Sequence, residues 1–481
     1  MRKIVYVIVL LINVVAIAQT QDTTTTFKKR VLENTEIDFL FSYYKQDGVH
    51  SPVAGGIGSE KLTDIASNIV VAVPLNEDDV LTFDVGISAY TSASSSNINP
   101  FNATGASGGG GKDDKQWNNK ATAATNPYGT PWQASSGASG NDQLVSVVAN
   151  YSHSSDDRNT IWNGDVSFSN EYDYTSAGFG GGLTKLFNQK NTEIGLKLNA
   201  YLDQWRPIYP TELHEYSLYG SNFQNQGYFS GVTVLDQNGN ASNGYLPTAF
   251  TTYNTKNRNS YSASLSFSQI LSKRIQMSVF VDVLKQEGLL ATPYQRVYFA
   301  DKSNYYIGQA QYIPVYETTE NKGVYRLADD IERLPNTRFK VPIGTRINFY
   351  INEYVVAKTY YRYYDDNWGI QAHTASIELP IKLGQKFTVY PMFRYYVQTA
   401  SDYFAPFEKH VSTEKYYTSD YDLSAFNARQ YGFGVSYLDI LLGSKIWKFG
   451  LKNIDFRYNH YVRNDGMTAN IVSLGIKFIT Q

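Results

Sequence analysis

Residues 338–398 decide how the rest of the chain is read. They open with RFKVPIGTRINF (338–349). Val341, Ile343, Thr345, Ile347 and Phe349 share one parity, and Arg338, Lys340, Gly344, Arg346 and Asn348 share the other. Ile351-Asn352-Glu353 breaks the run. VVAKTYYRYY (355–364) resumes it, with Lys358, Tyr360, Arg362 and Tyr364 on the polar parity. Asp365-Asp366-Asn367-Trp368-Gly369 turns the chain back. In HTASIELPIKL (373–383), Ala375, Ile377, Leu379, Ile381 and Leu383 then oppose Thr374, Ser376, Glu378 and Lys382. Gly384-Gln385 leads into a fourth run, FTVYPMFRYYVQ (387–398). A period of two sends successive side chains to opposite faces of a strand.

One face is apolar and the other carries Arg, Lys and Glu. Soluble strands average about five or six residues. These runs are nearer the roughly 9–11 that a tilted strand needs to cross a bilayer. The pattern predicts an all-β fold: a transmembrane antiparallel β-barrel with short periplasmic turns and long extracellular loops.

Working outward gives about sixteen such strands. The first is read from Leu32 to Tyr44, and the last ends on Val472, Leu474, Ile476 and Phe478. An aromatic in the final strand resembles the terminal signal by which bacterial barrels are recognised for assembly. Four long loops are expected, at 93–142, 205–257, 288–336 and 399–427, all at the end opposite seven short connections. Such segregation is the layout of a membrane barrel. Asn464-Asp465-Gly466 is a strong hairpin signal. The glycines of 176–187 point to curvature or close approach.

The 481 residues begin with Arg2 and Lys3, an apolar run Ile4–Val15 and the small-x-small site Ala16-Ile17-Ala18. That is the form of a signal peptide, 1–18. Residues 19–31 are read as a periplasmic tail, too short for the plug of a TonB-dependent transporter, and 32–481 as the barrel. No Cys follows the apolar run, so a lipoprotein anchor is excluded. With no Cys anywhere there are no disulfides, thiolate metal sites or Cys nucleophile. A closed hydrogen-bonded barrel supplies stability instead. The net charge of −2 gives no pointer to nucleic acid. The 40 Tyr suit a membrane–water boundary, where the ring is apolar and the hydroxyl wet.

On the polar parity the charges segregate. Lys340, Arg346, Lys358, Arg362, Lys382, Arg394 and Arg457 form a basic wall of the lumen. Asp38, Asp84, Asp165, Asp203 and Asp282 form an acidic wall. Two readings stand. The walls set a transverse field across an aqueous pore that orients dipolar solutes, or they pair across a plugged lumen and make it rigid.

Local chemistry is sparse. The six His (His50, His153, His214, His373, His410, His460) show no metal-ligand spacing. His153 with Ser152, Asp156 and Asp157 is the nearest cluster to a hydrolase site, but it lies at the short-turn end, where a strand end accounts for it. Asp402, Asp420 and Asp422 are read as solvated loop acids rather than a calcium site. The Gly108–Gly111 run lacks the Gly-Lys-Ser/Thr of a phosphate loop and reads as flexible loop. No cofactor and no enzymatic activity are expected.

Several stretches resemble domain-of-unknown-function family 3570 of Gram-negative outer-membrane proteins. They are Lys29–Glu33, ISAYTSASSSNINPF (87–101), YSHSSDDRN (151–159), Asn336–Phe349 and YTSDYDLS (417–424). The resemblance implies an outer-membrane barrel over nearly the whole mature chain, and brings no established activity or site residues. Some members look to be encoded beside thioredoxin-like and flavin-transferring proteins, which implies redox or protein-maturation partners. The expectation is a channel or export conduit for small solutes. The alternative is a non-conducting scaffold whose outer loops bind a lipoprotein or another surface or periplasmic protein. Outer-membrane lipid is the other expected partner.

Overall fold

The computed structural model describes residues 30–92, 141–171, 173–247, 252, 255–308, 310, 313, 324–439 and 443–480. The expected signal peptide, nearly all of the expected tail and the segment 93–140 lie outside them.

Sixteen antiparallel strands form one sheet: β1 (Glu36–Asp47), β2 (Leu62–Pro74), β3 (Asp79–Ser92), β4 (Asn141–Ser154), β5 (Thr160–Asn170), β6 (Tyr174–Phe187), β7 (Thr192–Trp205) and β8 (Lys256–Ser272). There follow β9 (Ile275–Gly288), β10 (Thr337–Tyr350), β11 (Val356–Asp366), β12 (Gln371–Glu378), β13 (Phe387–Gln398), β14 (Phe426–Leu438), β15 (Phe449–Arg463) and β16 (Thr468–Thr480). Each strand pairs with the next, and β1 pairs with β16 from Glu36↔Ile479 to Asp47↔Thr468, which closes the barrel. Closure leaves no sheet edge whose backbone groups would face lipid unpaired.

The expected strand count of sixteen is met, with local differences. β1 starts at Glu36, not Leu32, because the chain first crosses the base of the barrel. There the Val31 amide donates to Glu77 O, and Thr35 O accepts from the Thr480 amide. β12 stops at Glu378, and Ile381–Leu383 continues it against β13 after Leu379-Pro380. Proline also thins the ladder on one side of β10. The pairing with β9 lapses between Val281↔Ile343 and Leu284↔Lys340, the interval holding Pro342, which has no amide to give.

The register sorts every strand into two faces. Phe168, Phe179, Leu183, Leu196, Leu198, Leu265, Ile343, Ile347, Phe393 and Phe433 share the outer face, and all are exposed. A continuous belt of large apolar side chains is not tolerated against water, so its solvent is lipid. The opposite parity is short, polar or charged and lines the inside.

The short connections follow local rules. Asn76 Oδ1 accepts from the Asp78 and Asp79 amides, and Asn352 Oδ1 from those of Tyr354 and Val355. These side-chain turns hold β2–β3 and β10–β11. At the β15–β16 hairpin Gly466 takes φ +98°, a conformation open to glycine at little cost.

The opposite end is not a fringe of separate loops. The β7–β8 connection contains helix α1 (Thr211–Tyr219). Leu235–Asp236 from the same connection pairs with Tyr305–Gly308 from the β9–β10 connection, which pairs with Val324–Arg326. Phe223, Phe229, Tyr245, Ile307, Tyr325 and Leu327 pack beneath as an aromatic core. The β13–β14 connection joins through reciprocal bonds between Arg333 and Tyr417, 2.7 and 3.0 Å. Together these segments make an ordered cap.

Candidate functional site

All twelve wall residues named from sequence have the inward parity. Asp38 pairs with Lys477 and Val70, Asp84 with Val148, Asp165 with Asn150, Asp203 with Ser176 and Asp282 with Ser264. On the other arc, Lys340 pairs with Leu284, Arg346 with Ser278 and Tyr360, and Lys358 with Glu378. Arg362 pairs with Gly344 and Thr374, Lys382 with Thr388, Arg394 with Ser376 and Gln430, and Arg457 with Gly434 and Ser473. Acids therefore lie on β1, β3, β5, β7 and β9. Bases lie on β10 to β13, with one more on β15.

The acidic arc is locally satisfied for most of its members. Asn68 donates to Asp84 at 3.0 Å, and the Tyr174 hydroxyl donates to Asp203. Lys197 reaches Asp165 at 3.7 Å. Lys477 bridges Asp38 at 3.2 Å and Glu36 at 2.9 Å, and Lys452 joins Glu36 at 2.8 Å. The glycines of β6 make room for this layer: a Cβ at Gly180 would strike the Asp165 carboxylate, and one at Gly182 would meet Asn163.

The acids within the basic arc are each taken as well. Asp366 accepts from Arg338 Nε at 2.9 Å and from the Tyr364 hydroxyl at 2.7 Å. Glu378 lies 3.0 Å from Lys358 and 3.6 Å from Arg457. Asp455 accepts from Arg457 Nε at 2.8 Å and from the Tyr390 hydroxyl. Among the described residues these wall ion pairs run along the wall, within one strand or between strands up to three apart.

The inner surface is wet. Leu40 and Tyr201 point inward, yet they are 46% and 41% exposed. Arg346, Arg394, Lys358 and Lys382 are exposed on the same face.

The cap sits on the uppermost ring of inward residues. Gln398 Nε2 donates to Ser424 O at 2.6 Å and Asp422 O at 3.0 Å. Arg463 donates to Asp422 at 2.6 Å and to Tyr421 O at 2.7 Å. Gln46 donates to Glu60 O at 3.2 Å. The cap holds several acids away from water. Burial pushes Glu332 up to about 8, helped by the Asp420 charge. Burial and then Asp422 push Asp420 and Glu60 up to about 7. Burial raises Asp329 to about 6 against the pull of Arg326. Of these acids only Asp420 was named from sequence, as a solvated loop acid, and burial corrects that reading. Glu332, Glu60 and Asp329 were not singled out, because their environment is made by segments far apart in the chain.

The other sequence candidates fall apart. Ser152 pairs with Asn163 on the inner face, while its neighbour His153 lies on the outer face, bonded to Asp79 at 2.6 Å and beside Trp162. A nucleophile and base on opposite faces of one strand cannot meet. Of the loop acids, Asp402 lies against Gly369, Asp420 accepts from Gln295 at 3.4 Å, and Asp422 takes Arg463. Among the described residues no three His, Asp or Glu gather as a metal site.

The family model described as "Protein of unknown function (DUF3570)" matches residues 8–470. The chain belongs to the DUF3570 family. No curated protein matches it. Among solved structures, a bacterial polysaccharide outer membrane secretin is 10% identical, covering 93% of this chain and 99% of its own, at a TM-score of 0.40. The toluene transporter TodX of P. putida is 8% identical, with 94% and 91% coverage and a TM-score of 0.35. The outer membrane protein opdK from Pseudomonas aeruginosa is 7% identical, with 93% and 99% coverage and a TM-score of 0.35. At that distance the likeness is one of barrel fold, and it carries no argument about solute or partner for this DUF3570 member.

Proposed function

We propose that this chain is exported with cleavage of residues 1–18, inserts in the outer membrane of a Gram-negative cell, and conducts small solutes. The observation that carries the reading is the exposure of inward side chains below the cap. Leu40, Tyr201, Arg346 and Arg394 all face the inside and all meet solvent. A lumen filled by paired charges would bury them. The acidic and basic arcs then lie on opposite sides of an aqueous path, and the cap is its gate. Purified mature protein in a planar bilayer should give discrete current steps. Silence over many insertions, with correctly folded barrel, removes the channel.

A second reading draws on the cap's outer surface. Leu218 at the end of α1 is 57% exposed, and Leu246 is 64% exposed. Apolar side chains on an ordered outer surface suit a protein partner such as a lipoprotein. Purification in mild detergent tests it: a stoichiometric companion lost on L218D/L246D favours the scaffold.

A further inference from the structure

The basic wall does not balance its own charge. Every acid of the β10–β15 arc described above already has a cation or donor. Arg346, Arg362 and Arg394 are left without a carboxylate among the described residues. We propose that these three arginines form a binding site for small solutes bearing two or more carboxylates. This deepens the channel reading, since a solute reaches this wall through the lumen.

The register places them together. Arg346 pairs with Tyr360, Tyr360 with Ser376, and Ser376 with Arg394, so Arg346 and Arg394 end one row across four strands. Three strand spacings separate them, about 14 Å between backbones. Arg362 stands between, on β11, two residues from Tyr360 toward the cap. Arg362 pairs with Thr374 and Thr374 with Tyr396, two residues along β13 from Arg394.

Arg346 and Arg362 are held as well as placed. The Arg346 guanidinium lies 5.5 Å from both the Phe280 and Tyr360 ring centroids. Those rings stack at 5.9 Å and 16°. Gly344 leaves the space that the Phe280 ring fills. Arg362 leans on the Tyr364 ring at 5.8 Å, and its Nε is buried with no hydrogen-bond partner among the described residues. A guanidinium fixed by rings presents its fork to the lumen, and that fork matches a carboxylate with two parallel hydrogen bonds. The separation of the outer pair exceeds what one carboxylate spans. A solute with two carboxylates bridges it, with Arg362 taking the middle.

Calorimetric titration of the mature barrel in detergent with citrate, succinate and inorganic phosphate tests the site without needing current. Citrate and succinate should bind, phosphate more weakly. R362Q should weaken citrate by about tenfold or more, the loss of one charge-assisted pair, and R362K should restore part. R346Q/R362Q/R394Q should abolish binding while heat-modifiable gel mobility stays normal. If that variant does not fold, R394Q alone serves, because Arg394 is exposed and its removal leaves the wall packing intact. Citrate binding that is absent, or equal in wild type and variant, overturns the site. Phosphate binding more tightly than either carboxylate overturns the ligand class. Bilayer reversal potentials separate the two readings: a barrel that binds citrate but never conducts keeps the site and loses the channel. One that conducts, with neither citrate binding nor selectivity changed by the triple variant, keeps the channel and loses the site.

Discussion

Glu212 and Arg296, 84 positions apart, form a two-pronged ion pair at 2.7 and 3.2 Å with each side chain only 1% exposed. Glu212 belongs to α1 in one loop and Arg296 to the next long loop. Tyr325 and the Ala328 amide also donate to Glu212, and Arg296 reaches Val53 O in the β1–β2 connection. Burial works against the Arg296 charge, and Glu212 more than reverses it. Three loops are thus fastened at one buried point.

Breaking that pair should loosen the cap and spare the barrel. Glu212→Gln leaves Arg296 buried without its counter-charge, a loss of about 3–5 kcal/mol in local stability. Hydrogen exchange should accelerate across α1, 296–308 and 324–331, while exchange in β1 to β16 and heat-modifiable mobility hold. E212Q/R296M should recover part of the protection, since no charge is then stranded. Uniform exchange in E212Q and wild type would mean the pair is not what holds the loops.

The cap should also weaken as pH rises. An acid whose folded pKa is raised favours the protonated state. Its contribution is complete below its unfolded value, near 4.5 for Glu, and lost as pH rises through the folded value. For Glu332 that window ends at about 8, and for Asp420 and Glu60 at about 7. Proteolysis of the cap should therefore be slow at pH 5 and faster at pH 9. Glu332→Gln keeps a group able to meet Thr418 and the Thr292 amide, and it should flatten part of that rise and leave the share of Asp420 and Glu60. A protease profile independent of pH in the wild type would count against buried neutral acids.

The seam between the first and last strands has its own fastening. Glu36 on β1 takes Lys477 of β16 at 2.9 Å and Lys452 of β15 at 2.8 Å. All three are partly exposed, so Glu36→Gln should cost only about 1 kcal/mol. The temperature at which the heat-modifiable band shifts should fall slightly, and high salt should reduce the difference between variant and wild type. A variant indistinguishable from wild type at low salt would assign closure to the backbone ladder alone.

What was legible in sequence is what period two encodes. Alternation in each run, as in Val341 to Phe349 against Lys340 to Asn348, marked strands and faces and put all twelve wall residues on one parity, because alternation is a local property. The β12 break was misread since Leu379-Pro380 keeps the alternation while removing an amide. The cap was invisible for a different reason. Glu212 meets Arg296 and Glu332 meets Thr418 only after separate loops fold against each other, and no periodicity marks such pairs. That Arg346, Arg362 and Arg394 meet no carboxylate among the described residues was equally hidden, because the charges were visible and their neighbours were not.

The two faces can be told apart within a single strand. Leu198 on β7 points outward at 53% exposure, and Asn199 beside it points inward and donates to Ser262 at 3.2 Å. If the belt meets lipid, Leu198→Arg places a charge in the hydrocarbon layer and should cost roughly 2–4 kcal/mol near the midplane. Asn199→Arg puts the same charge into a wet, polar lumen beside Lys197, where a long side chain can bend into solvent, and should cost far less. Refolding yield into lipid vesicles, read by heat-modifiable mobility over a urea series, should separate the pair by more than a kilocalorie in that order. Equal losses, or the reverse order, would mean that Leu198 does not look at lipid, and the lumenal assignment of Asp165, Arg346 and their neighbours would fall with it.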